Sequence, residues 1–312
     1  MNNNVITLNN FAVNNSSLTG VYWPELTSRT DFEAKLTPIY DAVRTSEYSW
    51  NYEYREDTLG RFVKRTDNGI NLGIVGSTYG IAENAPLYDM IKEGAETALP
   101  REALRDVQLK EQSSHNGAFS RSDLLFSGIG ADIRQLSGSK TQLLFKIGLT
   151  NSFNGSGAIR LFSGAEDLFC TNGCTSAEYQ KRVARHTSGF TPEIFAGFIE
   201  KQCEDFILRV DTWRAWAQKA ITPEQAERAL EDAGMAGRKI KMMMEQFEQE
   251  SMARGRSVWA LYSALTAYSS HADLFPVRNS SVSDNIAVTL DNREREVSRI
   301  VSSDEWRQLA VA

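Results

Sequence analysis

The residues best suited to chemistry in this sequence are cations that gather near its middle. Residues 101–190 contain eleven Lys and Arg against eight Asp and Glu, whereas the whole 312-residue chain has a net charge of −6. The acidic flanks disfavour a globally basic nucleic-acid binder but not a local basic face. Cations on one face of a sheet can follow a phosphate backbone. The candidates for such contacts are Lys140, Lys146, Arg160, Lys181, Arg182, Arg185 and His186.

A polar loop lies among these cations. Residues 151–157 read NSFNGSG, and Arg160 follows on the next apolar run. Its small residues could let backbone N–H groups cradle a phosphate, with Asn151 and Asn154 contributing. The alternative is a plain hairpin loop with Asn and Gly at positive φ. Lys146 and Arg160 stand within apolar strands, so we expect their side chains to point outward.

Aromatic side chains near the cations have two interpretations. Phe145, Phe153 and Phe162 could stack on unpaired bases, as aromatic residues do in proteins that bind single strands. Their alternative role is the hydrophobic core, since apolar runs of this kind are usually buried. The sequence leaves both interpretations open.

Other chemistry has weaker support. Three cysteines, with His186, could bind zinc, but their spacing lacks a paired C-x-x-C pattern, and buried free thiols are the favoured interpretation. Residues 137–141, SGSKT, fail the P-loop pattern. Several acids lack any linking motif. We therefore predict no catalytic residue, no metal, no cofactor and a non-enzymatic protein. The cysteines are Cys170, Cys174 and Cys203, and the acids are Asp123, Asp132, Glu166 and Asp167.

The elements that must position these residues follow from hydrophobic periodicity. Strands are predicted at residues 52–64, 70–81, 107–114, 124–133, 133–136, 143–149, 158–162 and 167–170. Helices are predicted at residues 30–48, 87–99 with Asn84 as N-cap, 175–186, 191–219, 222–234, 239–254, 257–271 and 293–309. This order predicts an α+β fold in which a central, mostly antiparallel sheet with an inserted helix precedes a C-terminal helical array.

Three regions follow from this pattern. Residues 1–50 form an N-terminal arm with a short helix, residues 51–190 an α+β sheet domain, and residues 191–312 a helical region that packs on the sheet or mediates assembly. The N-terminus lacks a basic, then apolar leader, and no run of 18 apolar residues occurs. An odd number of cysteines disfavours a secreted disulfide framework. We therefore expect a cytoplasmic protein that does not enter a membrane.

Several segments in order resemble one known family. They are GIVGSTY at 73–79, LTNSFNGSGAIR at 149–160, FCTNG at 169–173, RHT at 185–187 and VWALYSALTAY at 258–268. Together they resemble the phage/plasmid-like family called domain of unknown function 932, over roughly residues 55–272. The resemblance implies a phage, prophage or conjugative-plasmid context in a bacterial host cell. The order of elements also resembles, in topology only, the Rad52-type single-strand annealing fold.

The leading functional hypothesis is a phage- or plasmid-encoded, oligomeric protein that binds single-stranded nucleic acid, as an annealing or recombination accessory factor. Its predicted nucleic-acid contacts are Lys140, Lys146, Asn151, Asn154, Arg160, Lys181, Arg182 and Arg185. The alternative is an acidic protein-interaction factor that targets a host enzyme without binding DNA. A third hypothesis, a nuclease or other enzyme, would need a cluster of carboxylates in a cleft.

Overall fold

The fold contains two antiparallel sheets and a C-terminal array of helices, which confirms the predicted α+β class. The computed structural model describes residues 22–46, 50–168, 172–175, 181–187, 197–271 and 282–311. Where the structure is described, no helix has both the length and the apolar character needed to cross a bilayer.

The first sheet consists of β1 (Ala34–Arg44), β2 (Tyr52–Arg65) and β3 (Asn71–Gly76), in that order. The predicted helix at residues 30–48 is therefore wrong. Pro38 is tolerated because β1 lies at the edge of the sheet, where a missing N–H is not needed. The prediction of a strand at 52–64 is confirmed.

The second sheet has six antiparallel strands in the order β4-β5-β6-β7-β8, with β9 also paired to β7. They are β4 (Val107–Ser114), β5 (Phe119–Arg134), β6 (Lys140–Ser152), β7 (Ile159–Asp167), β8 (Asn172–Thr175) and β9 (Lys181–Ala184). β5 and β6 form a hairpin, as the turn residues Ser-Gly-Ser-Lys at 137–140 predict, and Gly138 has φ 90° in its turn. The two strands predicted at 158–162 and 167–170 are instead one strand, β7, and residues 169–171 lie outside the described part.

The helix predicted at residues 175–186 is wrong wherever this segment is described. β8 pairs with residues 164–167 of β7, and β9 pairs with residues 159–162 of the same strand. A short helix is marginal on its own, whereas these segments satisfy the open edge of β7. Residues 176–180 lie outside the described part, as does the first turn of the helix predicted at 191–219.

The helices are α1 (Asn84–Ala98), α2 (Phe198–Gln218), α3 (Pro223–Asp232), α4 (Gly237–Arg254), α5 (Val258–Ser270), α6 (Val282–Val301) and α7 (Asp304–Val311). Thr222 caps α3 through a capping box with Gln225, as the Thr-Pro-Glu pattern predicts. Asn84 is not the N-cap of α1, because Glu83 takes that position. The single helix predicted at 293–309 is two helices, α6 and α7.

One face of the second sheet packs against the helices through aromatic side chains. Neighbouring ring centroids lie 5.5 Å apart between Phe126 and Phe145, 5.3 Å between Phe145 and Phe206, and 6.0 Å between Phe206 and Trp213. Trp259 of α5 continues the chain at 6.3 Å from Trp213. These contacts hold α2 and α5 on the sheet, since buried aromatic pairs are among the strongest core contacts.

Candidate nucleic-acid interface

The predicted basic residues do not form one surface. Lys140 begins β6 and is exposed, whereas Arg185 follows β9 beside the other end of the sheet. β6 contains 13 residues. At about 3.3 Å per residue, its two ends are roughly 40 Å apart. Lys140 and Arg185 therefore cannot contact the same few nucleotides, and the remaining candidates lie between these two ends.

Lys146 is buried rather than exposed, so the expectation that it points outward is wrong. Its side chain is 3% exposed, and its Nζ lies 3.6 Å from Asp123 Oδ2. Asp123 also accepts hydrogen bonds from the Arg121 guanidinium at 2.9–3.1 Å. Lys146 is thus part of a buried ion-pair network on the sheet face opposite the aromatic core.

Arg160 is also buried, and its predicted outward orientation is likewise wrong. Its guanidinium forms an ion pair with Asp291 of α6 and donates a hydrogen bond to Thr150 Oγ1 at 3.2 Å. Arg121 forms a similar ion pair with Glu294, one turn further along α6. α6 therefore covers the sheet face that carries Arg160, one of the predicted phosphate contacts.

The electrostatics of this covered face follow from burial and pairing. Burial by itself raises the pKa of Asp123, but Arg121 and Lys146 outweigh burial, so the pKa of this carboxyl is lowered. Burial by itself lowers the pKa of Arg121, but Asp123 and Glu294 raise it well above its usual value. Both groups are therefore charged at neutral pH, and their contact is an ion pair.

The NSFNGSG loop satisfies its own hydrogen bonds. The Ser156 N–H donates to Asn154 Oδ1 at 3.0 Å, and the Gly157 N–H donates to Ser152 Oγ at 3.1 Å. Gly155 has φ 72°. These contacts favour the hairpin-loop alternative, because the Ser156 and Gly157 N–H groups are already engaged within the loop.

The loop serves packing between the two sheets. Asn151 is fully buried and donates to Ala82 O at 2.8 Å and to Asn84 Oδ1 at 2.9 Å. A Cβ on Gly73 of β3 would lie 2.5 Å from Asn154 Cβ, so glycine is required for this contact. The prediction that Asn151 faces a ligand is therefore wrong, since its amide is used inside the protein.

The aromatic residues predicted to stack on bases belong to the core. Phe145, Phe153 and Phe162 are each at most 1% exposed. Phe162 lies beneath the Arg121 guanidinium at 5.1 Å, and Phe153 packs on Phe32 at 4.9 Å. The alternative interpretation as core residues is confirmed for all three.

An open groove of about 550 Å³ lies beside the loop, between the end of β3 and the residues after β9. His186 stacks on Tyr79 at 4.9 Å, and neither ring nitrogen has a hydrogen-bond partner in the described part of the protein. Burial lowers the pKa of His186 to about 4, although the Gly80 backbone opposes this shift. Burial raises the pKa of Tyr79 to about 12.

Arg185 lines the groove and is exposed, as is Arg182 nearby on β9. For Lys181 only the backbone in β9 is described.

Sequence reasoning missed one largely exposed aromatic surface among the described residues. β1 and β2 continue beyond β3 as a two-stranded ribbon in which Tyr40 pairs with Glu56, Ala42 with Tyr54 and Arg44 with Tyr52. Directly paired residues share a face, so the three tyrosines lie on one side. We call this surface, Tyr40, Tyr52 and Tyr54 with neighbouring Trp50, the tyrosine face. Its rings are 57%, 47%, 73% and 81% exposed, respectively.

A cation lies on this surface. The Arg44 guanidinium is 4.5 Å from the centroid of the Trp50 ring, which is a cation–π contact. The opposite side of the ribbon carries Asp41, Val43, Glu53 and Arg55, none of which is aromatic. The signal that could have found this face is the alternation of Tyr52 and Tyr54 with charged residues, together with Tyr40 and Trp50.

The other predicted sites do not assemble where the structure is described. Across that part of the chain, no three Cys, His, Asp or Glu side chains are placed to hold a metal ion. Burial raises the pKa of the Cys203 thiol to about 12. Glu166 pairs with Lys110 at 2.6 Å, and Asp167 pairs with Arg254 at 2.8 Å. These carboxylates therefore hold the fold together, and Cys170 and the Cys174 side chain lie outside the description.

Fold and sites together define a mixed α+β protein with a buried ionic sheet face and a projecting aromatic ribbon. The chain belongs to the family described as Domain of unknown function (DUF932), whose model matches residues 72–299. No curated protein and no solved structure matches it. The matched segment contains the second sheet and most of α6, whereas β1 and β2 precede it.

Proposed function

We propose that the protein binds single-stranded nucleic acid and that the tyrosine face is the surface on which bases stack. The observation that carries this proposal is the presence of four largely exposed aromatic rings at one end of a ribbon that is solvent-exposed on both sides. Proteins that bind single strands without strict sequence preference use such stacking platforms. Annealing or recombination of phage or plasmid DNA is the activity that this binding would serve.

Three exposed cations support the same proposal. Arg44 lies on the tyrosine face itself, and Arg185 and Arg182 are exposed beyond the end of β3. Cations beside stacking rings contribute the salt-dependent part of nucleic-acid affinity.

Fluorescence anisotropy of labelled oligo(dT) across a salt titration tests this function. Tyr54→Ala and Tyr52→Ala should each weaken binding by roughly 5- to 150-fold, since one stacked base contributes about 1–3 kcal/mol. Tyr22→Ala is the matched control, because Tyr22 is 74% exposed but lies outside the ribbon. Equal losses in the ribbon variants and the control would refute the assignment of the tyrosine face.

Homo-oligomerisation is part of the proposal. Ile207 and Leu208 are successive residues of α2 and both are exposed, Leu208 at 72%. Burying exposed apolar area against another copy is favourable. Light scattering should give a mass above one chain that falls in Leu208→Glu. A monomer at all concentrations would contradict this part of the proposal.

A second candidate function is a protein-interaction factor that targets a host enzyme. The net charge of −6 favours it, and exposed Tyr and Trp are also enriched at protein interfaces. Salt separates the two candidates. Oligonucleotide binding that weakens steeply as salt rises supports the first, whereas no binding at low salt supports the second.

A further inference from the structure

The covered face of the second sheet carries more positive charge than its own strands neutralise. Its cations are Lys110, Arg121, Lys146 and Arg160, and its carboxylates from the sheet are Asp123 and Glu166. The missing negative charge comes from α6, through Asp291 and Glu294. Without this helix the face would have two more cations than anions.

The two helix carboxylates bind the guanidinium groups as an oxyanion would. Asp291 is 2% exposed and contacts Arg160, and Glu294 is 6% exposed and contacts Arg121. Guanidinium groups bind carboxylate and phosphate through the same charge-assisted hydrogen bonds. A phosphate diester could therefore replace either carboxylate without any change in the cations.

The packing between α6 and this face is incomplete. A cavity of about 200 Å³ lies between them, lined by Lys146 of the sheet, by Leu290 and Glu294 of α6, and by His271 after α5. Gln112 Oε1 is buried there without a hydrogen-bond partner.

We propose that this ionic sheet face is a second polyanion-binding site and that α6 closes it, with Asp291 and Glu294 occupying the positions of two phosphates. The ligand class, a single-stranded nucleic acid, rests on the proposed function. The site itself is distinct from the tyrosine face, because it is built from β4 to β7 rather than from the ribbon.

Apolar contacts keep α6 in place when no polyanion is present. Ala287, Leu290, Val297 and Ile300 are all at most 4% exposed. A polyanion can bind the ionic face only in molecules from which α6 has moved away. The apparent affinity is therefore the intrinsic affinity multiplied by the fraction of such open molecules. Weakening the ionic contacts of α6 should raise the affinity for oligonucleotides.

The direct test is the double variant Asp291→Asn/Glu294→Gln in the full chain, measured with labelled oligo(dT). We expect at least about tenfold tighter binding at low salt, and a salt slope steeper by roughly 1.4, the value for two more phosphate contacts on a single strand. The control is Asp304→Asn/Glu305→Gln in α7, which changes the net charge equally outside the ionic face. Equal gains in the variant and the control would overturn the proposal, as would no gain in the variant.

Adding Arg160→Met to the double variant makes the test specific. If Arg160 holds the phosphate, the gain in affinity should shrink by roughly half on a logarithmic scale, because one of two contacts is lost. A gain that persists unchanged would assign the effect to net charge alone.

Repeating the comparison with Tyr52→Ala/Tyr54→Ala present separates the two sites. A gain that survives there supports the ionic face even if the tyrosine face fails as a binding surface.

Hydrogen exchange of the parent protein decides the question if the double variant does not fold. Oligo(dT) should accelerate exchange of amides in residues 285–301, since binding at the ionic face displaces the helix. Unchanged or slower exchange there would overturn the proposal. If the parent does not bind oligo(dT) at all and the folded double variant does not bind either, both the ionic face and the proposed function are refuted.

Discussion

The ion pair between Arg160 and Asp291 gives the sharpest prediction about stability. Asp291 lies in α6 and Arg160 in β7, and both side chains are at least nine-tenths buried. Asp291→Asn leaves the Arg160 guanidinium with Thr150 Oγ1 as its remaining partner among the contacts described above. Breaking a buried pair from one side costs about 3–5 kcal/mol, because the other charge is left uncompensated.

The opposite single variant should be milder. Arg160→Met leaves Asp291 paired at 2.6 Å with Arg295, one turn further along α6, whose side chain is 57% exposed. We expect a cost of about 1–3 kcal/mol for it. The double variant Arg160→Met/Asp291→Leu should be nearer to the parent than Asp291→Asn, because an apolar pair of similar volume often replaces a buried ion pair without loss.

Thermal unfolding followed by circular dichroism measures these differences. A cost of 3–5 kcal/mol corresponds to a fall in Tm of roughly 6–20 °C for Asp291→Asn. Asp304→Asn is the control, since Asp304 pairs with Arg307 on the surface and should change stability by less than about 1 kcal/mol. A Tm for Asp291→Asn within about 1 °C of the parent would show that α6 does not bury this pair, and the account of the covered face would be wrong.

Three further predictions concern other parts of the fold. His186 has a pKa of about 4 in the folded protein and about 6.5 in the unfolded chain, so the unfolded chain binds a proton first as pH drops. The free energy of unfolding should therefore fall by about 2–3 kcal/mol between pH 6.5 and pH 4, and urea melts of His186→Phe should lack this fall. Gly128→Ala should cost about 1–3 kcal/mol, because its Cβ would lie 2.5 Å from the Ala103 backbone, whereas Gly76→Ala, with open space around it, should be neutral in the same urea melts. Thr222→Ala should cost about 1 kcal/mol in thermal melts through loss of the capping box, and Thr222→Ser should retain most of that stability.

Much of the architecture could be predicted because its signals are local. β4 coincides with the alternation at residues 107–114, and the Ser-Gly turn identifies the β5–β6 hairpin. Thr222 caps α3, as its Thr-Pro-Glu sequence indicates. In each case the residues that decide the structure are neighbours in the chain, so periodicity and turn chemistry suffice.

The errors arise where distant segments decide the structure. Arg160 in an apolar strand has the same sequence signature whether it faces water or a carboxylate, and its partner Asp291 is 131 residues away. Residues 181–184 form a strand because β7 offers an open edge, which no local pattern records. Pairing with β2 also decides that residues 34–44 form a strand, because an isolated segment has no such partner.

Stacking of single-stranded nucleic acid on the tyrosine face can be measured as the affinity of labelled oligo(dT) for the parent, for Tyr52→Ala/Tyr54→Ala and for Tyr22→Ala, each across a salt series. If bases stack there, the parent and the control should bind in a salt-dependent manner, and the double ribbon variant should lose affinity by at least about tenfold. Equal affinity in all three proteins, or no binding by any of them at low salt, would contradict it.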